Sequence, residues 1–250
     1  FEYILNANLT TLKEDWKNFY SQYYVEEEGK FVPNAADSEI RLSNKKYSPI
    51  SNIKLSPDGS KLLYSYNDQG KLRVVIRDLT TGKEKRILKY GYKNVFQETD
   101  YNYPILAWHP TKQEVSILYE HRDVIKLMKY NITKDEKMEQ LIPTDFQRIY
   151  SMSYIDDLDY VFSASLDGFS DLYHYKSKNR NYFRLTNDFY DDLHAEYITY
   201  KGKKGMLFSS NRVTDTLLDL RLDTILPVDN FDIFFLPFDE KKMERITNTT

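Results

Sequence analysis

The residues able to do chemistry are few and scattered. The chain of 250 residues has no cysteine and four histidines, His109, His121, His174 and His194. Lack of cysteine removes disulfides, thiolate metal ligands and thiol nucleophiles together. No H-E-x-x-H spacing sets two histidines on one helical face for zinc. His109 precedes Pro110 in a turn, and His174 lies in an alternating stretch, so both read as structural. No G-x-S-x-G elbow presents a serine nucleophile. Two acidic clusters, Asp156, Asp157 and Asp159, then Asp188, Asp191 and Asp192, offer oxygen ligands of the kind Ca²⁺ takes. Neither fits the EF-hand loop, and both read as solvated turn acids. The sequence therefore predicts no catalytic residue, no cofactor and no metal site.

Bulk properties narrow the partners. Lysine and arginine number 35 against 38 aspartates and glutamates, a net charge of −3. So balanced a surface lacks the basic footprint of a nucleic-acid binder. No apolar run is long enough to span a membrane. Aromatics make up 15% of the chain, with 22 Tyr and 14 Phe. Rings fit the half-buried pleated surface of strands, and a disordered chain would lack them. The opening at Phe1 rather than Met reads as entry into a longer polypeptide.

The elements that would position these residues show two periods. Leu12, Trp16, Phe19 and Tyr23 share one helical face, with Thr11 and Glu14 as a capping box. They predict a helix from Leu9 to Tyr24, followed by a polar connector to residue 46. From Tyr47 the period becomes two. Leu55, Trp108, Tyr154 and Tyr197 each end or nearly end a strand before a turn, at spacings that suit one propeller blade per repeat. Sixteen strands fall into four sets of four, over 47–103, 104–150, 151–192 and 193–250. The fold class is all-β: a β-propeller of four-stranded antiparallel blades with one N-terminal α-helix, expected to belong to a larger ring. Repetition follows from burial, since one sheet cannot cover its own faces and stacking covers both.

The repeat resembles the TolB-type, WD-like propeller repeat over residues 47–250. "LSPDGSKLLYS" carries its first half, and "SASLDGFSDLYHYKSKNRNYFRLTND" its second. "GMLFSSNR" and "FDIFFLPFDEKKMERITNTT" repeat it, split by an insertion. "HPTKQ" in the second blade departs from the pattern. "LTNDFYDD" leading into "FSSNR", in a Lys-, Asn- and Tyr-rich chain, is similar to large envelope proteins of Bacteroidota. In some of these a zinc-peptidase-like helical domain precedes the propeller, and "LKEDWKNFY" resembles that domain's last helix. The resemblance implies a non-catalytic scaffold or protein-binding module, periplasmic or outer-membrane-associated, with protein partners in an envelope complex. Its alternative is the accessory propeller of a peptidase whose catalytic domain lies outside this chain. A sugar-binding propeller gains no support from two isolated tryptophans, Trp16 and Trp108.

The segment 211–230, too long for a hairpin turn, concentrates the remaining signals. Leu217, Leu218, Leu220, Leu222, Ile225 and Leu226 are many aliphatics for one loop, and should dock on the ring or on a partner. They are the expected partner-binding residues, with the turns at Asp58 and Asp167 beside them. Asp215-Thr216-Leu217 and Asp223-Thr224-Ile225 match the D-[ST]-apolar pattern for O-glycosylation in Bacteroidota, which makes Thr216 and Thr224 the expected modified residues.

Overall fold

The computed structural model describes residues 8–28, 40, 42, 48–92, 100–215 and 230–249. The chain divides into two compact units, Phe1–Ser43 and Asn44–Thr250. The first holds α1 (Leu9–Glu28). Its cap is Asn8 rather than Thr11. Asn8 Oδ1 accepts the Thr11 amide at 2.9 Å and the Thr11 hydroxyl at 3.1 Å. Asparagine is a strong cap, and from Asn8 it satisfies an amide that the first turn would otherwise leave bare. The helix also outruns Tyr24, because Glu26, Glu27 and Glu28 are good helix formers. Trp16 and Phe19 of the expected apolar face are 67% and 63% exposed.

The second unit is four antiparallel sheets of four strands, each in simple sequential order. Blade one is β1 (Ile50–Leu55), β2 (Lys61–Asp68), β3 (Lys71–Asp78) and β4 (Glu84–Tyr90). Blade two is β5 (Ile105–Trp108), β6 (Glu114–His121), β7 (Val124–Asn131) and β8 (Glu136–Leu141). Blade three is β9 (Arg148–Tyr154), β10 (Asp159–Ser165), β11 (Ser170–Lys176) and β12 (Asn181–Arg184). Blade four is β13 (Asp192–Tyr200), β14 (Lys203–Ser210), β15 (Asp232–Pro237) and β16 (Glu244–Arg245). The blades form a propeller, as the repeat predicts.

Strand alternation builds the core. Successive residues of a strand point to opposite faces, so each middle strand feeds two inter-blade spaces. In β6, Ile117 joins Leu63, Val74 and Met128 between blades one and two. Its neighbour Leu118 joins Phe162, Tyr173 and Tyr175 between blades two and three. In β10, Phe162 faces blade two while Val161 packs with Met206, Phe208 and Phe234 of blade four. Each fully buried side chain of this size contributes about 1.5–3 kcal/mol. The innermost strands are tied by polar contacts. Asn52 Nδ2 donates to the Pro104 carbonyl at 2.8 Å, and Trp108 Nε1 to the Lys54 carbonyl at 3.0 Å. Lys54 of β1 pairs with Glu196 of β13, joining the first inner strand to the fourth.

The repeated D-[IL]-[YF] and [RK]-[IL]-T elements form a clasp. Asp171, the second residue of β11, takes Arg184 from β12, where Arg184 Nε donates to Asp171 Oδ2 at 3.1 Å and to the Thr186 carbonyl at 3.2 Å. Thr186 Oγ1 accepts the Leu172 amide at 2.9 Å. Blade four repeats every part. Arg245 Nε reaches Asp232 Oδ2 at 3.0 Å and the Thr247 carbonyl at 3.2 Å, and Thr247 Oγ1 accepts the Ile233 amide at 2.8 Å. Both arginines lie on a ring of the third strand, Tyr173 at 5.7 Å and Phe234 at 5.8 Å. The short fourth strand thus gains side-chain fastenings where it has few ladder bonds. The motif is a structural fastener, which explains why it recurs.

Gly205 is demanded by packing. A Cβ there would stand 2.3 Å from the Leu236 carbonyl oxygen and 2.8 Å from a Phe235 ring carbon. Gly205→Ala should therefore cost about 1–3 kcal/mol by overpacking, read as a lower urea midpoint with an unchanged slope. An unchanged midpoint would show that β14 and β15 part easily at this point.

Candidate functional site

Strand direction sorts the loops onto two ends of each blade. Strands alternate in direction, so the first and third turns of a blade share one end, and the second turn shares the other end with the blade-to-blade connectors. The segment 211–230 joins β14 to β15 and is the second turn of blade four. It shares its end with the turn of Asp167. The turn of Asp58 joins β1 to β2 and lies at the opposite end, so Asp58 cannot extend a surface made by the insertion. Asp58 is instead busy holding its turn. The Ser56 hydroxyl donates to it at 2.6 Å and the Ser60 amide at 3.0 Å. These bonds hold its carboxyl well below the usual carboxylate range. Asp167 is tied to Arg184 at 3.2 Å.

The root of the insertion is built from "LTNDFYDD" and "FSSNR". Arg212 follows β14 by two residues and is fully buried, as are Asp188, in the connector from β12, and Asp192, the first residue of β13. Arg212 Nη2 donates to both oxygens of Asp192 at 2.7 Å, and Nη1 donates to Asp188 Oδ2 at 3.1 Å. Its Nε donates to Ser210 Oγ at 3.0 Å. The guanidinium lies over Tyr190 at 5.3 Å, Phe208 at 5.9 Å and Phe234 at 6.0 Å. A planar fork suits bidentate capture, and aromatic faces on either side suit a cation stripped of water. Beside it, Asn211 Oδ1 accepts the Asp191 amide at 2.9 Å, and Asp191 Oδ1 accepts the Ser170 hydroxyl at 2.7 Å. The two phrases therefore lock blade four onto blade three.

Burial sets the electrostatics. It pushes the Asp192 carboxyl up, and Arg212 opposes that shift. Burial alone would push the Arg212 guanidinium down, but Asp192 and Asp188 outweigh it and hold Arg212 above its ordinary value. Asp188 and Asp192 are thus not the solvated turn acids that their sequence suggests. Oxygens of Asp171, Asp188 and Asp192 lie within 4.8 Å of one another. That spacing suits a hard cation, yet Arg212 and Arg184 already supply the compensating charge. Among the other acids, Asp157 pairs with His109 at 2.9 Å and Asp159 with His174 at 2.7 Å. His109 fills the place of Ser56, its Nδ1 accepting the amides of Thr111 and Lys112. His194 meets Ser209 Oγ at 3.1 Å, but that hydroxyl donates to the Leu193 carbonyl and is not poised as a nucleophile.

Past the root, the Asp215 carbonyl accepts the Met243 amide at 3.1 Å. The chain is thus fixed again beside the outer strand of blade four. The aliphatic residues Leu217 to Leu226, with Thr216 and Thr224, lie outside the described residues.

No protein-family model matches the chain. It is 28% identical over 163 residues to the Tol-Pal system protein TolB of Helicobacter hepaticus, which covers 65% of this chain and 36% of that protein. This is a TolB-like β-propeller. The crystal structure of TolB from Acinetobacter baumannii superposes with a TM-score of 0.58 at 14% identity, covering 81% of this chain and 44% of that one. An oligogalacturonate lyase solved in complex with manganese superposes with a TM-score of 0.50 at 13% identity, covering 78% and 52%. At these identities the superpositions show the fold. The TolB-like chain spans 36% of the curated relative's length. Among its described residues, no helix is long and apolar enough to cross a membrane.

Proposed function

We propose that this TolB-like propeller is a non-catalytic scaffold that binds protein in a bacterial cell-envelope complex, outside the cytoplasm. Its contact element is the insertion of blade four. The observation that carries the reading is the root. A buried Arg212, clamped by Asp188 and Asp192, fixes where the insertion leaves the ring, and the Asp215–Met243 bond fixes it again. A binding loop gains affinity when its ends are held, because less ordering remains to be done on contact. Leu217, Leu218, Leu220, Leu222, Ile225 and Leu226 supply the apolar surface in this reading. Thr216 and Thr224 are the O-glycan attachment points. Likeness to a component of the Tol-Pal system supports both the envelope setting and the protein partner.

The test keeps both fastenings and removes the segment that follows them. Residues 216–229 are replaced by a short Gly/Ser linker. The strand signal in circular dichroism should persist, and the melting temperature should stay within about 4 °C. A photo-reactive residue placed at Leu218 in the native host should give one discrete cross-linked partner, and the same residue at Lys137 should give none. Lys137 is an exposed position on β8. A shortened protein that fails to fold would make the insertion part of the core. Loss of the cross-link at Leu218 would remove the insertion as contact element.

A further inference from the structure

One position of the repeat carries an amine in blade two alone. The anchors Leu55, Trp108, Tyr154 and Tyr197 pair with Leu62, Val115, Tyr160 and Met206 on the second strands. One residue further on stand Leu63, Ser116, Val161 and Leu207, and their partners on the third strands are Ile76, Lys129, His174 and Phe235. Ile76 and Phe235 are buried and apolar. His174 pairs with Asp159 at 2.7 Å. Lys129 has no such acid. Glu114, at the place of Asp159, accepts the Tyr154 hydroxyl at 3.5 Å instead. Among the described residues no carboxylate forms an ion pair with Lys129.

Lys129 is half-buried and faces blade three. Its Nζ donates to the Asp157 carbonyl at 2.8 Å and lies 5.3 Å from the centre of the Tyr160 ring. The Asp157 carboxylate is taken by His109 and Lys112. Across the outer pair of strands, Lys129 stands opposite Met138 of β8. It lines a groove of about 190 Å³ with Leu127, Met138, Gln140, Leu158 and the β11–β12 turn. Every wall residue and its chain neighbours lie among the described residues. Met138 is 71% exposed and Leu158 44%, so the lips are apolar and reached by solvent. The turns that build the groove are the first and third of blade three, at the end opposite the insertion. Burial pushes the Lys129 amine below the ordinary lysine range, against Glu114 and Asp157, and the charge of Lys112 adds to the push. A half-buried amine with no acid of its own keeps more of its neutral form, and the neutral form is the nucleophile.

We propose that Lys129 is a covalent modification site for short aliphatic aldehydes, with the alkyl chain held between Met138 and Leu158. The Nζ lone pair attacks the aldehyde carbon and an N–C bond forms. The nitrogen gives up both hydrogens, the carbonyl oxygen leaves with them as water, and a C=N bond remains. Amine and aldehyde become imine and water, with no change of oxidation state. When the imine takes a proton from solvent, its N–H has the Asp157 carbonyl as acceptor. The groove is below the roughly 300 Å³ of a site for a drug-sized ligand, which limits the chain to a few carbons. Apolar lips favour an alkyl chain over a hydroxylated one, because each buried methylene contributes about 0.8 kcal/mol. The site does not depend on the insertion.

The test exposes the full chain at pH 7.5 to hexanal with sodium cyanoborohydride, which reduces each imine to a stable secondary amine, and maps the labelled lysines by peptide mass spectrometry. Lys129 should label about tenfold faster than Lys137, an exposed lysine of the same outer strand pair. In guanidinium chloride the two should label alike, and the pH at which Lys129 labelling sets in should rise. Glycolaldehyde is the polar control, and its preference for Lys129 should be smaller by about threefold or more. Met138→Gln with Leu158→Gln should remove that difference between the aldehydes. Both side chains are exposed, so the melting temperature should hold. The comparison of hexanal with glycolaldehyde on the unaltered chain decides even where the double variant unfolds. Lys129 labelled no faster than Lys137 in the folded chain, or no faster by hexanal than by glycolaldehyde, overturns the assignment.

Discussion

Arg212→Ala should lose about 3–5 kcal/mol of unfolding free energy, the usual result of taking one partner from a buried ion pair. The loss has two parts. Asp192 and Asp188 are left fully buried without their cation. The guanidinium also vacates its place among Tyr190, Phe208 and Phe234, which leaves a hole at the junction of blades three and four. Arg212→Lys should recover only part, because an ammonium cannot grip both oxygens of Asp192 while reaching Asp188. Dependence on pH separates the two parts. The folded pKa of Asp192 lies above its unfolded value because of burial, with Arg212 opposing the shift. A raised folded pKa means that ionising this acid costs stability as pH climbs from the unfolded value through the folded one. Without Arg212 the folded pKa rises further and the cost grows. The deficit of Arg212→Ala should therefore be smaller at about pH 4, where an unfolded aspartate is itself half protonated and the hole's share remains, and larger at neutral pH. Urea unfolding of both proteins across that range measures it. A deficit equal at all pH values would assign the loss to the hole alone.

The same residue shows where sequence reading stops. Periodicity exposes every strand, because alternation is local. Sixteen strands, four blades and the break at segment 211–230 can all be read from it. The clasp is half legible. The recurrence of Asp171 with Arg184 and of Asp232 with Arg245 is visible as a motif, and its geometry is not. The buried lock is not legible, because Asp188 and Arg212 belong to different blades and nothing in "LTNDFYDD" says that a guanidinium will sit among its acids. One signal was available. "FSSNR" sets an arginine two residues past its strand, close to the start of the insertion. The placement of Asp58 was also deducible. Counting strand reversals puts the first turn and the second turn of any blade at opposite ends, so Asp58 and Asp167 cannot share a surface.

Phe162→Ala should cost about 3–5 kcal/mol, and it tests why the chain repeats. Phe162 is fully buried in the second strand of blade three. Its ring stacks on Tyr175 at 4.9 Å and meets Phe146 edge-on at 6.0 Å. It shares its cluster with Leu118 and Leu127 of blade two. Its removal opens a cavity that belongs to both blades, so hydrogen exchange should quicken in β6 and β7 as well as in β10 and β11. Phe183→Ala is the control. That ring is 53% exposed on β12, and its loss should stay within about 0.5 kcal/mol. The contrast is informative because the two sites share a blade and a residue type and differ in whether a neighbouring sheet covers them. Faster exchange confined to blade three would mean that each sheet stands alone. Spread into blade two means that a blade is stable only in company, and that is the physical reason for a sequence that says nearly the same thing four times.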